Sequence, residues 1–125
     1  MNNKVLIIGG SGQLGVYLAS YLLKKKYKVY ISTRSLNKKS VNKLKEKFNR
    51  LKPSILKLDI YRNINIFEVL NKIKPNYIFY FAGQSSVSDS FKKNLETMNS
   101  NYLGCKNVLD QILNLNLNLK FGLEH

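Results

Sequence analysis

The chain has 125 residues, which is one domain at most, and its 44% hydrophobic content is enough to build a core. No apolar run approaches the roughly 18 residues that a membrane span needs, and disordered and fibrous classes do not fit this composition. The net charge of +14 suggests a polyanionic partner, such as nucleic acid, a membrane surface or a phosphorylated small molecule. A proteome rich in Lys and Asn would give the same charge, because the lysines are scattered along the chain.

Strand-like and helix-like patterns alternate from one end of the chain to the other. Apolar runs of strand length predict the strands, and apolar residues three or four positions apart predict the helices. In chain order, the predicted elements are a strand over residues 4–9, a helix over 14–24, a strand over 28–33, a helix over 40–50, a strand over 54–58, a helix over 66–73, a strand over 77–81, a helix over 94–113 and a strand over 117–121.

This alternation, with short connections, predicts an α/β fold in which a parallel sheet has helices on both faces. The strands lack polar alternation, which is typical of strands buried on both sides. We therefore expect a Rossmann-like, doubly wound parallel sheet, truncated after about the fifth strand. The last three residues, Leu123 to His125, resemble the start of a vector-encoded tag, so we assign residues 1–122 to the domain and 123–125 to a tag remnant.

A glycine-rich segment joins the first predicted strand to the first predicted helix. Gly9, Gly12 and Gly15 form a Gly-x-x-Gly-x-x-Gly pattern, which is typical of a dinucleotide-binding turn in this context. Glycine permits the tight turn and the close approach of backbone to a pyrophosphate, and the helix N-terminus attracts the phosphates. The alternative is a glycine turn without a ligand.

The end of the second predicted strand indicates which dinucleotide is preferred. An acidic residue there would bind the ribose hydroxyls of NAD, whereas this chain has Thr33, Arg34 and Ser35, with Lys38 and Lys39 just beyond. Cations and hydroxyls favour the 2′-phosphate of NADP, with NAD as the alternative. Arg34 as a solvated loop cation is the other interpretation. Asp59, at the end of the third strand, could accept a hydrogen bond from adenine or act as a turn or cap residue.

Other chemistry finds little support in the sequence. Tyr21 and Lys25, and likewise Tyr102 and Lys106, have the Tyr-x-x-x-Lys spacing of short-chain dehydrogenases, but neither pair follows the fifth strand, so we assign both to chance. The single cysteine permits no internal disulfide, and no leader is evident, which favours the cytoplasm. We expect no metal site, no membrane association and no specific nucleic-acid binding, although a basic nucleic-acid-binding module is a competing hypothesis.

Four segments together resemble one protein family. They are residues 9–15, 58–59, 81–85 and 101–110, and they are similar to the first half of extended short-chain dehydrogenases/reductases of the sugar-nucleotide epimerase/dehydratase group. Residues 74–91 most resemble the GDP-mannose 4,6-dehydratase family within that group. Ser35 and Glu96 stand where that family usually has Arg and Tyr, so a related epimerase or 4-reductase, or a non-enzymatic dinucleotide sensor, stays open.

The resemblance implies a cofactor site along one edge of the sheet, with NADP or NAD as the cofactor. The pyrophosphate would be bound by Gly9, Ser11, Gly12, Gln13, Leu14 and Gly15, and the 2′-phosphate by Thr33, Arg34 and Ser35. The adenine would be bound by Asp59 and Ile60, and the ribose and nicotinamide by Phe81, Ala82, Gly83, Gln84 and Ser85.

The resemblance also implies a reaction for the full-length protein. A sugar nucleotide, GDP-mannose first among the candidates, would be oxidised at C4 by hydride transfer to NADP, lose water across C5 and C6, and receive the hydride back. The catalytic Ser or Thr and the Tyr-x-x-x-Lys pair would follow the fifth strand, so we expect no catalytic residue in this chain. The family further implies a homo-oligomer.

Overall fold

The computed structural model describes the backbone of residues 3–9, 12–81 and 91–123, and the side chains of the same residues except 91–101 and 123. Strands and helices alternate as predicted. The elements are β1 (Lys4–Ile8), α1 (Gln13–Lys24), β2 (Lys28–Thr33), α2 (Lys38–Lys47), β3 (Ser54–Lys57), α3 (Asn63–Ile73), β4 (Tyr77–Tyr80), α4 (Phe91–Asn114) and β5 (Lys120–Leu123).

The five strands form one parallel sheet in the order β3-β2-β1-β4-β5. The chain moves from β1 through β2 to β3 in one direction, and then crosses back to place β4 on the other side of β1. Because β2 and β4 lie on opposite sides of β1, the connections that follow β1 and β4 diverge and leave a crevice at the carboxyl ends of the strands. Doubly wound folds bind their ligands in this crevice. The predicted Rossmann-like fold is confirmed.

Each face of the sheet has its own core because strand side chains alternate between the faces. Val5 and Ile7 of β1 point to the face covered by α1 and α2, where they meet Phe48. Leu6 and Ile8 point to the face covered by α3 and α4, where they meet Val108. The central strand is therefore buried on both sides, as its apolar run predicted.

Both boundaries of α2 differ from the prediction because a side chain sets the first and a turn sets the second. The helix predicted over 40–50 begins at Lys38, since the Asn37 side chain accepts hydrogen bonds from the amides of Lys39 (2.9 Å) and Ser40 (3.4 Å). It ends at Lys47, because Asn49 takes a left-handed conformation with φ of 57°. The helices predicted over 66–73 and 94–113 also extend further, to Asn63–Ile73 and Phe91–Asn114.

The last strand begins three residues later than predicted. Asn116 has a φ of 52°, and the amide of Leu117 donates to the carbonyl of Ile112 (3.2 Å), so residues 115–117 close the end of α4. Leu117 and Leu119 then pack against the α3/α4 core, and pairing with β4 starts only at Lys120. The strand includes Leu123, opposite Tyr80, which the sequence analysis set outside the domain; that boundary stays a prediction.

The described part of the chain contains no helix that is both long and apolar enough to span a membrane.

Candidate functional site

The crevice between the ends of β1 and β4 begins at Gly9. Its φ of 74° lies in the left-handed region, which glycine adopts without steric cost, and this allows the chain to turn out of β1. The amide of Gly9 donates to both the carbonyl (3.2 Å) and the hydroxyl (3.3 Å) of buried Ser32 in β2. On the other side, the amide of Phe81 donates to the carbonyl of Ile8 (2.8 Å). The predicted site residues Gly9 and Phe81 thus flank the same strand end.

The N-terminus of α1 lies at this turn. Gly12 is the N-cap residue in an extended conformation, and its carbonyl accepts the first helical hydrogen bond from Val16 (2.9 Å). Among the described residues no side chain caps the helix, and its first turn contains no acidic residue. The amides that open a helix have no acceptor within it, and together with the helix dipole they favour an anion. Gly15 is buried, whereas Leu14 is exposed.

The loop after β2 contains the three residues predicted to bind a 2′-phosphate. The hydroxyl of Thr33 donates to the carbonyl of Ser35 (2.8 Å), and the hydroxyl of Ser35 accepts from the amide of Asn37 (3.2 Å). Both hydroxyls therefore shape the turn into α2. The guanidinium of Arg34 lies 5.9 Å from the ring centre of Tyr61, within the range of a cation–π contact.

The loop after β3 lies beside the loop after β2, because the amide of Leu58 donates to the carbonyl of Thr33 (2.9 Å). The carboxylate of Asp59 accepts from the amide of Tyr61 (3.0 Å), and the amide of Asp59 donates to the Asn65 side chain (2.7 Å). Asp59 is thus a turn-forming residue, one of its two predicted roles. The carbonyl of Ile60 accepts from the Asn107 side chain (2.9 Å).

The structure brings most of the described site residues to the carboxyl edge of the sheet. Ser11, Ala82, Gly83, Gln84 and Ser85 lie outside the described residues. Sequence reasoning missed Tyr61, Asn65 and Asn107, which hold the loops of the site. Asn107 lies in residues 101–110, which resemble the family, but the sequence carries no signal that its side chain contacts a residue 47 positions earlier.

The two Tyr-x-x-x-Lys pairs lie at the end of α1 and on α4 and make contacts of their own. Tyr21 lies in the last turns of α1, which runs away from the carboxyl edge, and the ammonium of Lys25 sits 5.6 Å from its ring centre. On α4, Lys106 forms an exposed ion pair with Asp110 (2.8 Å), and this hydrogen bond raises the pKa of Lys106. Within the described residues, no three His, Cys, Asp or Glu side chains cluster as metal ligands do.

A comparison with protein-family models identifies the family of the chain. The model of the family described as GDP-mannose 4,6 dehydratase matches residues 6–123, which is nearly the whole chain. The chain belongs to this family. The match runs from the first strand to the last, so it includes the glycine turn and the loops that follow β2, β3 and β4.

Individual proteins similar to this GDP-mannose 4,6-dehydratase family member are about three times as long. A UDP-glucose 4-epimerase from Mycoplasma genitalium is 27% identical over 94% of the chain and 34% of its own length. A GDP-mannose 4,6 dehydratase from Drosophila melanogaster is 31% identical over 86% of the chain and 29% of its own length. The chain thus spans about a third of the length of each of these two relatives.

The fold of this family member also matches a solved structure. The UDP-glucose-4-epimerase from Stenotrophomonas maltophila, with bound NAD and formylated UDP-arabinopyranose, is similar with a TM-score of 0.77 and 21% identity, over 94% of the chain and 36% of that protein. This likeness shows that the described sheet and helices share the fold of that protein.

Proposed function

We propose that the chain is the cofactor-binding part of an NADP-dependent sugar-nucleotide dehydratase, with GDP-mannose as the first candidate substrate. The observation that carries the proposal is the grouping of the glycine turn, Arg34 and Asp59 along one edge of a sheet, in a chain of the GDP-mannose 4,6-dehydratase family. The cofactor would supply hydride acceptance and return at the sugar. The chain's own residues would bind and orient it.

The glycine turn suits the pyrophosphate. The φ of 74° at Gly9 turns the chain out of β1, and the amides that open α1 have no acceptor within the helix, which suits a doubly charged ligand. A side chain at Gly9 would be strained in this conformation. The residues present therefore fit a dinucleotide, with Gly12, Gln13 and Leu14 nearest to its phosphates.

The loop after β2 favours the 2′-phosphate of NADP. Arg34, Lys38 and Lys39 are exposed cations near one another in sequence, and the two lysines open α2, where the helix dipole disfavours positive charge by about 0.3–1 kcal/mol each. A bound phosphate would reverse that repulsion. The contact with the Tyr61 ring places the Arg34 guanidinium beside the loop after β3, which contains Asp59.

The test is the affinity of the chain for NADP⁺ and NAD⁺, measured by calorimetry on the wild type and on Arg34→Met. A charge-assisted hydrogen bond to phosphate is worth about 1.5–3 kcal/mol, so Arg34→Met is expected to weaken NADP⁺ about 10- to 150-fold and to leave NAD⁺ within about threefold. Arg50→Met is the matched control, since Arg50 is an exposed arginine beyond the far end of α2. Equal loss of both cofactors in Arg34→Met, or tighter binding of NAD⁺ by the wild type, would overturn the assignment of NADP.

A related epimerase is the second candidate, favoured by the similarity to the UDP-glucose 4-epimerase of Mycoplasma genitalium. A 4-reductase or a dinucleotide sensor would use the same cofactor edge. Product analysis of a protein in which this chain continues through a Tyr-x-x-x-Lys helix would distinguish them. Water loss gives a 4-keto-6-deoxy sugar, whereas epimerisation gives an isomer of unchanged mass.

A further inference from the structure

The loop that follows β3 is fastened by asparagine side chains from two different helices. Asn65 of α3 accepts from the amide of Asp59 (2.7 Å), and Asn107 of α4 donates to the carbonyl of Ile60 (2.9 Å). We propose that Asn107 is a positioning residue for the adenine end of the cofactor site. This inference rests on the proposed function, which assigns Asp59 and Ile60 to adenine.

The hydrogen bond of Asn107 acts on a single peptide unit. The carbonyl of Ile60 and the amide of Tyr61 belong to the same planar group and point in opposite directions. The carbonyl is held by Asn107, and the amide donates to the Asp59 carboxylate (3.0 Å). Because the unit is rigid, Asn107 fixes the direction of the amide and so the position of that carboxylate.

The same peptide leads into Tyr61, whose ring contacts the Arg34 guanidinium at 5.9 Å. Without the Asn107 bond the segment from Ile60 to Tyr61 could shift as a whole, and such a shift would move this ring away from the guanidinium. Asn107 is thus connected, through one peptide, to the residues proposed for adenine and for the 2′-phosphate. Asn107 itself is 8% exposed and lies under the loop, so it acts through Ile60.

The backbone of α4 comes close enough for this bond because position 104 is glycine. A Cβ atom built on Gly104 would collide with Cδ1 of Ile60 and would lie 2.5 Å from the Tyr80 hydroxyl. Ile60 and Tyr80 are both buried, so neither has free space to move into. Gly104 and Asn107 lie one turn apart on α4, and together they hold the helix against Ile60 by shape and by a hydrogen bond.

The experiment compares two buried amides on one helix. Asn107→Leu removes the donor and keeps the same branched skeleton of side-chain heavy atoms, and Gln111→Met is the matched control, since Gln111 is equally buried (7% exposed) but accepts from Asn114 of the same helix (3.3 Å). Each folded variant is titrated with adenosine 2′,5′-bisphosphate, which probes the adenine end, and with inorganic pyrophosphate, which probes the glycine turn. Asn107→Ala, which adds no apolar bulk, serves if Asn107→Leu does not fold.

We expect the Asn107 variant to bind adenosine 2′,5′-bisphosphate about five- to tenfold more weakly, with pyrophosphate affinity unchanged and Gln111→Met like the wild type. Wild-type affinity for the bisphosphate in the Asn107 variant would overturn the proposal. A loss shared equally by both ligands or by Gln111→Met would also overturn it, because it would indicate a general effect on stability. A wild type that binds neither ligand would instead overturn the proposed function.

Discussion

The hydroxyl of Tyr80 is buried under α4, and the part of the chain whose side chains are described offers it no hydrogen-bond partner. An unpaired buried hydroxyl costs about 1–3 kcal/mol, whereas the small void left by removing it costs less than the roughly 1 kcal/mol of a methyl-sized cavity. Tyr80→Phe is therefore expected to raise the free energy of unfolding by about 1 kcal/mol. For a chain of this length that corresponds to an increase in Tm of about 3–5 °C.

The stability that Tyr80→Phe gains over the wild type should increase at alkaline pH. Burial, and then the nearby Cys105 and Tyr61, raise the pKa of Tyr80 well above its ordinary value of 10.0. Above pH 10 the unfolded chain loses this proton while the folded chain keeps it, so wild-type stability falls as pH rises. The loss reaches about 1.4 kcal/mol one pH unit above the unfolded pKa, and Tyr80→Phe escapes it. The raised pKa of Cys105 acts equally in both proteins and cancels in the difference.

The assay is denaturant unfolding at pH 7, 9.5 and 11, with Tyr77→Phe as the control. Tyr77 lies on the same strand, is half-buried on the opposite face, and its substitution should change stability by less than about 0.5 kcal/mol. The reasoning fails if Tyr80→Phe is less stable than the wild type at pH 7. It also fails if the difference between the two proteins does not grow between pH 9.5 and 11.

Two further predictions concern the chain on its own. Light scattering is expected to show species heavier than the 14.4 kDa monomer, because β5 is the last strand of the described sheet and α4 exposes apolar side chains such as Tyr102 and Leu113; a monodisperse monomer at high concentration would contradict this. We also propose that the chain alone does not turn over GDP-mannose, since neither Tyr-x-x-x-Lys pair lies on a helix that follows β5, and steady product formation with NADP⁺ would refute that.

The sequence predicted backbone features correctly where they depend on residues a few positions apart. Gly9 was predicted as a turn residue from its place after an apolar run, and it has the positive φ that the turn needs. Asp59 was predicted at the end of a strand, where it now forms a turn with Tyr61. Such roles depend on neighbours a few positions away, which the sequence lists directly.

Side-chain contacts between distant segments could not be predicted in the same way. Nothing in the order of residues indicates that Arg34 contacts Tyr61, or that β5 begins at Lys120 once the leucines before it have packed into the core. The burial of the Tyr80 hydroxyl, without a partner among the described side chains, is equally unpredictable until α4 covers it.

The sequence by itself determined the α/β class, the order of the elements and the glycine turn, because hydrophobic period and glycine spacing act over short distances. The tertiary structure decided that α4 fastens the loop after β3 through Asn107. That bond joins residues 47 positions apart, and only the packing of two helices on one face of the sheet brings them within 2.9 Å.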